Sequence, residues 1–247
     1  MKVLRGLVAD VIPFSWVDGP GNRTTIFLQG CNFDCKACHN PQTIAAQSVH
    51  ARSMTIIDLV DEVRANAPFI SGITVSGGEA TFQPEFLAEF FTYLQADPEL
   101  RDLTRFVDSN GATTPEVWST LVPVLDGAML DLKTFDPQLH LELTGKPVTQ
   151  VLDSIELLAS VGLLYEVRLL IVGGVNDDPD LLRRTGAWLS RVDPELQVVL
   201  NPFRRHGVRH PADGWAEATP EDLAKYAELL RTGGLSKIRI VPPLQIS

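Results

Sequence analysis

Short apolar runs alternate with amphipathic helical patterns along most of the chain, and this alternation predicts an α/β fold with parallel strands. Six runs are predicted as strands: Thr24 to Leu28, Ile73 to Ser76, Arg105 to Asp108, Gly127 to Asp131, Glu166 to Val172 and Gln197 to Leu200. Six βα units are fewer than the eight of a closed barrel, so we predict a partial (βα)6 TIM-like barrel. No repeat or linker interrupts the pattern, and we expect residues 1–247 to form a single domain.

Two helix starts are marked by threonine–aspartate pairs. Thr55 with Asp58 and Thr219 with Asp222 predict capping boxes, in which each side chain caps the backbone of the other. Gly162 stands where the preceding helix should end. Three histidines, His50, His140 and His210, lie in polar or amphipathic segments and are predicted to be surface residues.

The charge balance narrows the classes of partner. The 247 residues carry a formal net charge of -10, so the average surface repels nucleic-acid phosphates and anionic lipid. The N-terminal segment has no long apolar run and is predicted to be neither a signal peptide nor a membrane anchor. We therefore expect a cytoplasmic protein with no nucleic-acid or membrane partner.

The only cysteines of the chain, Cys31, Cys35 and Cys38, stand together in the segment GCNFDCKACHN. A cubane iron–sulfur cluster normally takes four cysteine ligands, so a cluster on these three would leave one iron open. A structural zinc site needs four closed ligands, and the candidate fourth, His39, directly follows Cys38. An odd cysteine count argues against a disulfide framework. An open cluster, a zinc site and plain buried thiols remain as alternatives, and the pattern favours the cluster.

Polar residues follow four of the predicted strands, at the carboxyl ends where parallel sheets bind ligands. These groups are Gly77-Gly78-Glu79, Asp108-Ser109-Asn110-Gly111, Asp131 with Lys133, and Asn201-Pro202-Phe203. Each has a structural explanation as well: tight turns for the first two groups and a surface ion pair for the third. Their expected position at one mouth with the cysteine loop favours a functional site.

Several motifs resemble those of a known family. GCNFDCKACHN resembles the CxxxCxxC loop of radical S-adenosylmethionine (SAM) enzymes, and Ser76-Gly77-Gly78-Glu79 resembles their GGE motif. The glycyl-radical-enzyme activases, the pyruvate formate-lyase activating enzyme type, have segments similar to Val17-Asp18-Gly19-Pro20-Gly21, Phe27-Leu28-Gln29-Gly30-Cys31, His39-Asn40-Pro41, Asp108-Ser109-Asn110-Gly111 and Met129-Leu130-Asp131-Leu132-Lys133. The resemblance covers nearly the whole chain and is closest to the YjjW-type activases. It implies a partial barrel of the radical SAM type, in one radical SAM domain.

The resemblance also implies a set of site residues. One 4Fe-4S cluster would be held by Cys31, Cys35 and Cys38, with SAM at the open iron. The implied cofactor contacts are Ala37, His39, Asn40, Gly78, Glu79, Asp108, Asp131, Leu132, Lys133, Thr134, Arg168 and Arg204. Asp18, in the DGPG turn, corresponds to a residue near the bound glycine-loop peptide.

Within that set the resemblance assigns separate roles. His39 and its neighbours would lie against the adenine, and Gly78 with Glu79 would bind the methionine end. Asp108 and Asp131 resemble a pair that helps to hold a monovalent cation. Lys133 and Arg168 would supply positive charge on the carboxylate side of SAM.

The implied reaction is reductive cleavage of SAM to a 5'-deoxyadenosyl radical, which abstracts a hydrogen atom from a glycine of a partner glycyl radical enzyme. A flavodoxin or ferredoxin would supply the electron. Two other interpretations remain: a radical SAM enzyme acting on a small molecule, of the 7-deazaguanine ring-contracting type, and a non-catalytic iron–sulfur electron carrier. The second would need neither the GGE motif nor the charged residues at the strand ends.

Three features depart from the family pattern. Ala37 occupies a position that is usually aromatic, which predicts a weaker stacking surface for adenine. Arg204 stands where related activases carry a ribose-contacting histidine, so either Arg204 replaces it or His206 reaches in. The segment Gln42 to Ser53 contains no cysteine, so it lacks the ferredoxin-like insert of YjjW-type relatives, and we expect no auxiliary cluster.

Overall fold

Strands and helices alternate along the chain in the computed structural model, which describes residues 3–241. In chain order the elements are β1 (Arg5–Ser15), β2 (Arg23–Leu28), β3 (Arg52–Thr55), α1 (Ile56–Asn66), β4 (Gly72–Gly77), α2 (Pro84–Ala96), β5 (Thr104–Ser109), α3 (Pro115–Leu121), β6 (Gly127–Leu132), α4 (Pro137–Thr144), α5 (Thr149–Ser160), β7 (Leu164–Ile171), α6 (Pro179–Val192), β8 (Gln197–Pro202), α7 (Pro220–Thr232) and β9 (Lys237–Ile240). From β4 onward most strands are followed by a helix, which is the expected βα pattern.

The strands form one mostly parallel sheet in the order β3-β1-β2-β4-β5-β6-β7-β8-β9. The pairs β2–β4, β4–β5, β7–β8 and β8–β9 are parallel, whereas β1 pairs antiparallel with both β2 and β3. All six predicted strands are present as β2 and β4 to β8. Their ends agree with the predicted ones to within two residues. β7 ends one residue before the predicted Val172, whose N–H donates to the side chain of Asn176 at 2.7 Å.

Three strands were not predicted from the sequence: β1, β3 and β9. The second half of β1 is largely exposed and contains Pro13, which is compatible with a strand only where its missing N–H is not needed. β3 and β9 have four residues each and carry exposed polar side chains. Short, half-exposed strands give little apolar signal, so pairing with neighbouring strands decides them.

The described chain falls into two compact units. The first comprises residues 3–32 and 42–129, and the second comprises residues 33–41 and 130–241. Strand β6 and the cysteine loop both run from one unit into the other. The prediction of a single domain stays a prediction.

The capping residues predicted from the sequence are found at the ends of three helices. Both predicted capping boxes are present, at Thr55 with Asp58 and at Thr219 with Asp222. Gly162 has φ +72° directly after α5, a left-handed conformation that favours glycine at a helix end. Aspartate caps at α4 and α6 were not predicted.

Apolar burial holds the helices on the sheet. In the first unit, α1 buries Leu59, Val60 and Val63, and α2 buries several aromatic side chains. β2 and β4 are buried along nearly their full length, as expected for parallel strands covered on both faces. The prediction that His140 is a surface residue is wrong: its side chain is buried on the apolar face of α4.

Candidate active site

The GGE turn is hydrogen-bonded to the residues that lead into Cys31. In the first unit, the Gly78 N–H donates to Leu28 O at 3.0 Å and the Glu79 N–H donates to Gly30 O at 2.9 Å. Gly77 has φ +131°, and a Cβ there would lie 2.2 Å from Leu28 O. A Cβ at Gly78 would lie 2.4 Å from Gly30 O. Only glycine permits this approach, so the turn and the start of the cysteine loop form one structure.

The Glu79 carboxylate is buried and fully hydrogen-bonded by its own unit. Oε1 accepts from the Thr81 N–H and hydroxyl, both at 2.8 Å, and from the Ser109 hydroxyl at 2.7 Å. Oε2 accepts from the Asn110 N–H at 2.7 Å. Burial raises the pKa of Glu79, and the hydrogen bonds from Asn110, Thr81 and Ser109 oppose that shift. Four accepted hydrogen bonds fill the capacity of a carboxylate, so this side chain joins the end of β4 to the end of β5.

The end of β5 also reaches the first cysteine. Asn110 Nδ2 donates to Asn32 Oδ1 at 2.8 Å and lies 3.7 Å from Cys31 Sγ. Asn110 Oδ1 accepts from the Ala112 N–H at 2.9 Å, which forms an Asx turn and agrees with the tight turn predicted here. Asp108 instead accepts from the Ser76 hydroxyl at 3.0 Å.

Asp18 is held from two neighbouring strands of the first unit. Its Oδ2 accepts from the Ser15 hydroxyl at 2.6 Å and from the Thr25 hydroxyl at 3.1 Å. Its backbone oxygen accepts from the Thr74 hydroxyl at 2.5 Å. The buried Arg23 guanidinium fixes the same turn by donating to Thr74 Oγ1 and to Pro20 O.

The second half of the cysteine loop rests on the end of α4 in the second unit. The Asp34 N–H donates to Thr144 O at 3.0 Å, and the Lys36 N–H donates to Leu143 O at 2.9 Å. The Cys38 N–H donates to Cys35 O at 3.2 Å, which turns the loop between the last two cysteines.

The thiol chemistry of this loop depends on burial and on one lysine. Burial raises the pKa of Cys35 to about 11, while the positive charge of Lys133 opposes the shift. Cys38, Asp131 and Asp34 add to the rise through their negative charge. Cys35 is therefore a neutral thiol in the metal-free protein, and binding a metal centre there releases its proton.

The described side chains do not form a site for a single metal ion. Within residues 3–241, no three His, Cys, Asp or Glu side chains are arranged to hold one ion. The three cysteines form no disulfide. In the first unit an amide N–H is directed at Cys31, and in the second unit the positive charge of Lys133 acts on Cys35; both features suit thiolates that serve as ligands of an iron–sulfur cluster.

Asp131 and Lys133 form the ion pair that their spacing predicts. The Lys133 Nζ donates to Asp131 Oδ2 at 2.6 Å, and both side chains are partly buried. Leu132 between them is fully buried. Thr134 is buried too, and its hydroxyl accepts from the Asp136 N–H at 3.3 Å.

Arg168 lies on β7, two residues after the buried Glu166. Its Nε donates to Glu166 Oε1 at 2.7 Å, and Arg239 donates to the other oxygen at 3.2 Å. Because Glu166 is buried, its ion pair with Arg168 holds the Arg168 guanidinium in one orientation.

Ala37 belongs to an apolar cluster with Val172, Phe203 and Ala212. The His39 ring lies beside this cluster, with its centroid 6.0 Å from that of Phe203, and its Nε2 donates to Arg204 O at 2.9 Å. His39, Ala37 and the backbone of Arg204 therefore lie together in the second unit. His206 is exposed.

The structure thus places the predicted residues in two groups. The first unit contains Cys31, Gly78, Glu79 and Asp108, with Asp18 in the turn between β1 and β2. The second unit contains Cys35, Ala37, Cys38, His39, Asn40, Asp131, Leu132, Lys133, Thr134, Arg168 and Arg204. Sequence reasoning gave no role to Asn32 or Arg23. The DGPG spacing pointed to Asp18 but carried no signal for the side chains that hold it.

Comparisons with known proteins identify the superfamily to which the chain belongs. The radical SAM superfamily model matches residues 25–185, which is more than half of the chain. A crystal structure of a radical SAM methyltransferase from Sphaerobacter thermophilus is similar with a TM-score of 0.65 at 19% identity, over 91% of this chain and 68% of that one. A domain of pyruvate-formate lyase-activating enzyme from Bacteroides vulgatus has a TM-score of 0.57 at 22% identity, over 70% of this chain and 99% of that one. The predicted fold class is therefore confirmed.

Sequence relatives then narrow the class. Pyruvate formate-lyase-activating enzyme from Streptococcus mutans is 30% identical over 244 residues, which cover 92% of this chain and 91% of the relative. The enzyme of the same name from Staphylococcus epidermidis is 30% identical over 216 residues, covering 83% of this chain and 84% of the relative. The chain belongs to the radical SAM superfamily and, within it, to the activating enzymes of glycyl radical enzymes. Membership implies a 4Fe-4S cluster, SAM and a glycyl radical enzyme as partner. No helix within residues 3–241 is long and apolar enough to cross a membrane.

Proposed function

We propose that this protein installs a glycyl radical on a partner enzyme, by cleaving SAM reductively and abstracting a hydrogen atom from the Cα of one glycine in the partner. The observation that carries the proposal is the pair of hydrogen bonds that joins the GGE turn to the residues leading into Cys31, in a chain whose similarity to activating enzymes extends over nearly its full length. Glycine suits this reaction because it has no side chain to block approach to its Cα.

Cys31, Cys35 and Cys38 would hold the 4Fe-4S cluster, and its open iron would receive the amino and carboxylate groups of SAM. When bound, the cluster and SAM supply one-electron cleavage of the sulfonium bond, which gives methionine and the 5'-deoxyadenosyl radical. The remaining work belongs to the protein, which must position SAM and exclude water.

The methionine end of SAM would be bound by the backbone around Gly78 and Glu79. The Glu79 carboxylate is already saturated by Thr81, Ser109 and Asn110, so backbone oxygens of this turn are the better acceptors for the ammonium group. Gly78 brings that backbone close to Gly30, immediately before Cys31.

The remaining roles follow from charge and position within the second unit. Lys133 and Arg168 would face the SAM carboxylate, each already oriented by an acid, Asp131 and Glu166 respectively. The ring of His39 would contact the adenine together with Ala37 and Asn40, and Leu132, Thr134 and Arg204 would complete the cofactor contacts. Asp108 and Asp131 would hold a monovalent cation.

Two partners complete the proposal. Asp18 would accept a backbone N–H of the glycine-loop peptide, because its Oδ2 is occupied by Ser15 and Thr25 whereas no described residue hydrogen-bonds to Oδ1. A flavodoxin or ferredoxin would supply the electron. We place the reaction in the cytoplasm, in a single radical SAM domain spanning residues 1–247.

Anaerobic reconstitution with iron and sulfide tests the proposal. The purified chain is incubated with SAM, a strong reductant and candidate glycyl radical enzymes, while chromatography follows 5'-deoxyadenosine and EPR follows the protein radical. We expect both products to appear together with one partner. Deoxyadenosine without a protein radical, for any candidate, would favour the small-molecule interpretation, and a chain that takes up no iron would exclude both.

A further inference from the structure

The side-chain amide of Asn110 directs an N–H group at Cys31, one of the three cluster cysteines. Its Nδ2 lies 3.7 Å from Cys31 Sγ, within the range of an N–H···S hydrogen bond, and 2.8 Å from Asn32 Oδ1. An asparagine amide has two N–H groups, so one nitrogen can serve both acceptors. Asn110 is 7% exposed, so water does not compete strongly for either bond.

The orientation of this amide is fixed by its other contacts. Oδ1 accepts from the Ala112 N–H at 2.9 Å, so a flipped amide would set its NH₂ group against another donor. The Asn110 backbone N–H is anchored on Glu79 Oε2 at 2.7 Å. The second acceptor, Asn32, is itself held because its Nδ2 donates to Ala112 O at 2.6 Å. These contacts together hold Asn110 Nδ2 facing Cys31.

We propose that Asn110 tunes the reduction potential of the cluster by donating a hydrogen bond to the Cys31 thiolate, with Glu79 as the residue that positions Asn110. This inference rests on the proposed function, because it presupposes a cluster on Cys31. Reduction adds negative charge to the cluster and its sulfur ligands, and an N–H donor stabilises that charge. Asn110 therefore raises the potential and makes the cluster easier to reduce. It acts through Cys31 and is a positioning residue, not a catalytic one.

An EPR-monitored redox titration of the reconstituted protein, without SAM or partner, tests this role. Asn110→Ser removes the amide nitrogen but keeps a short oxygen that can accept from the Ala112 N–H. We expect a lower midpoint potential, with the ratio of reduced to oxidised cluster falling about tenfold at fixed poise, which corresponds to 59 mV for one electron. Asn22→Ser is the matched control, because Asn22 donates to Phe69 O and touches no cysteine. Its midpoint should equal that of the wild type.

A second variant keeps the test decisive. Asn110→Asp retains the acceptor for Ala112 and replaces the N–H donor with a carboxylate oxygen, so its midpoint should fall at least as far. A fully loaded cluster with an unchanged midpoint in either variant would overturn the inference. Failure of both variants to load a cluster, with wild-type circular dichroism, would overturn it too, because Asn110 would then build the site rather than tune it. A wild-type chain that binds no cluster would instead contradict the proposed function.

Discussion

Replacing Arg23 with lysine should destabilise the protein although the charge is kept. The Arg23 side chain is fully buried and donates five hydrogen bonds: to Thr74 Oγ1, Pro20 O, Thr104 Oγ1, Ile73 O and Thr104 O, at 2.7 to 3.0 Å. The guanidinium also lies over the Phe106 ring, 4.5 Å from its centroid. A lysine has one nitrogen and three donors in place of this planar fork.

The magnitude follows from the acceptors that lysine cannot reach. At least two of the five hydrogen bonds must be lost, because only three donors remain. Each buried polar group left without its partner costs about 1–3 kcal/mol, so the free energy of unfolding should fall by about 2–6 kcal/mol. That is a large part of the total stability of an ordinary domain, about 5–15 kcal/mol.

Urea denaturation of the metal-free protein under reducing conditions, followed by circular dichroism, measures this loss. The control is Arg183→Lys, because the Arg183 side chain is 48% exposed and pairs only with Asp180 on the same helix. Its effect should stay within about 0.5 kcal/mol. If Arg23→Lys were as mild as Arg183→Lys, the view that the buried fork holds the DGPG turn would be refuted.

Three other changes have defined outcomes. Thr25→Val removes one donor to Asp18 Oδ2, so it should raise the KM for a glycine-loop peptide severalfold while SAM cleavage without peptide is unchanged. Thr25→Ser keeps a hydroxyl and should restore the KM. Equal KM values for the wild type and both variants would contradict the role of Asp18. Burial lowers the pKa of His140 in the folded protein. Below about pH 6.5 the unfolded chain therefore binds a proton at this histidine more readily than the folded chain does, and the free energy of unfolding decreases as the pH is lowered. His140→Asn should therefore lose less free energy of unfolding between pH 7 and pH 5 than the wild type, in paired urea titrations; equal losses would argue against a buried neutral histidine. Cys35→Ala should abolish assembly of the 4Fe-4S cluster, measured as iron and sulfide content, and a variant with wild-type iron content would remove the cluster assignment.

The central strands could be predicted from the sequence because strands that are buried on both faces consist mostly of consecutive apolar residues. β2, β4 and β6 are buried along nearly their whole length and begin or end within one residue of the predicted positions. The ion pair between Asp131 and Lys133 followed from the two-residue period of a strand, and the two side chains do meet at 2.6 Å. By contrast, β3 has only four residues, and its place depends on pairing with β1.

The contacts that build the site could not be predicted because they join residues far apart in the sequence. His140 lies in an amphipathic segment, and its position there did not reveal that its ring packs against Phe33 and its Nδ1 donates to Lys146 O. The sequence placed Glu79 at the methionine end of SAM without indicating which of its atoms are available, and the structure directs its carboxylate to Ser109 and the Asn110 N–H. Local patterns identify which residue types gather at strand ends, but only tertiary packing decides which atoms remain available to a ligand.

Transfer of a labelled hydrogen atom tests the central claim most directly. A candidate partner enzyme carrying α-deuterated glycine is activated anaerobically by the reconstituted chain with SAM and a reductant, and the 5'-deoxyadenosine formed is analysed by mass spectrometry. Direct abstraction from glycine should place one deuterium in the 5'-deoxyadenosine, in proportion to the glycyl radical seen by EPR. Unlabelled 5'-deoxyadenosine alongside a glycyl radical would contradict direct abstraction from glycine by this protein.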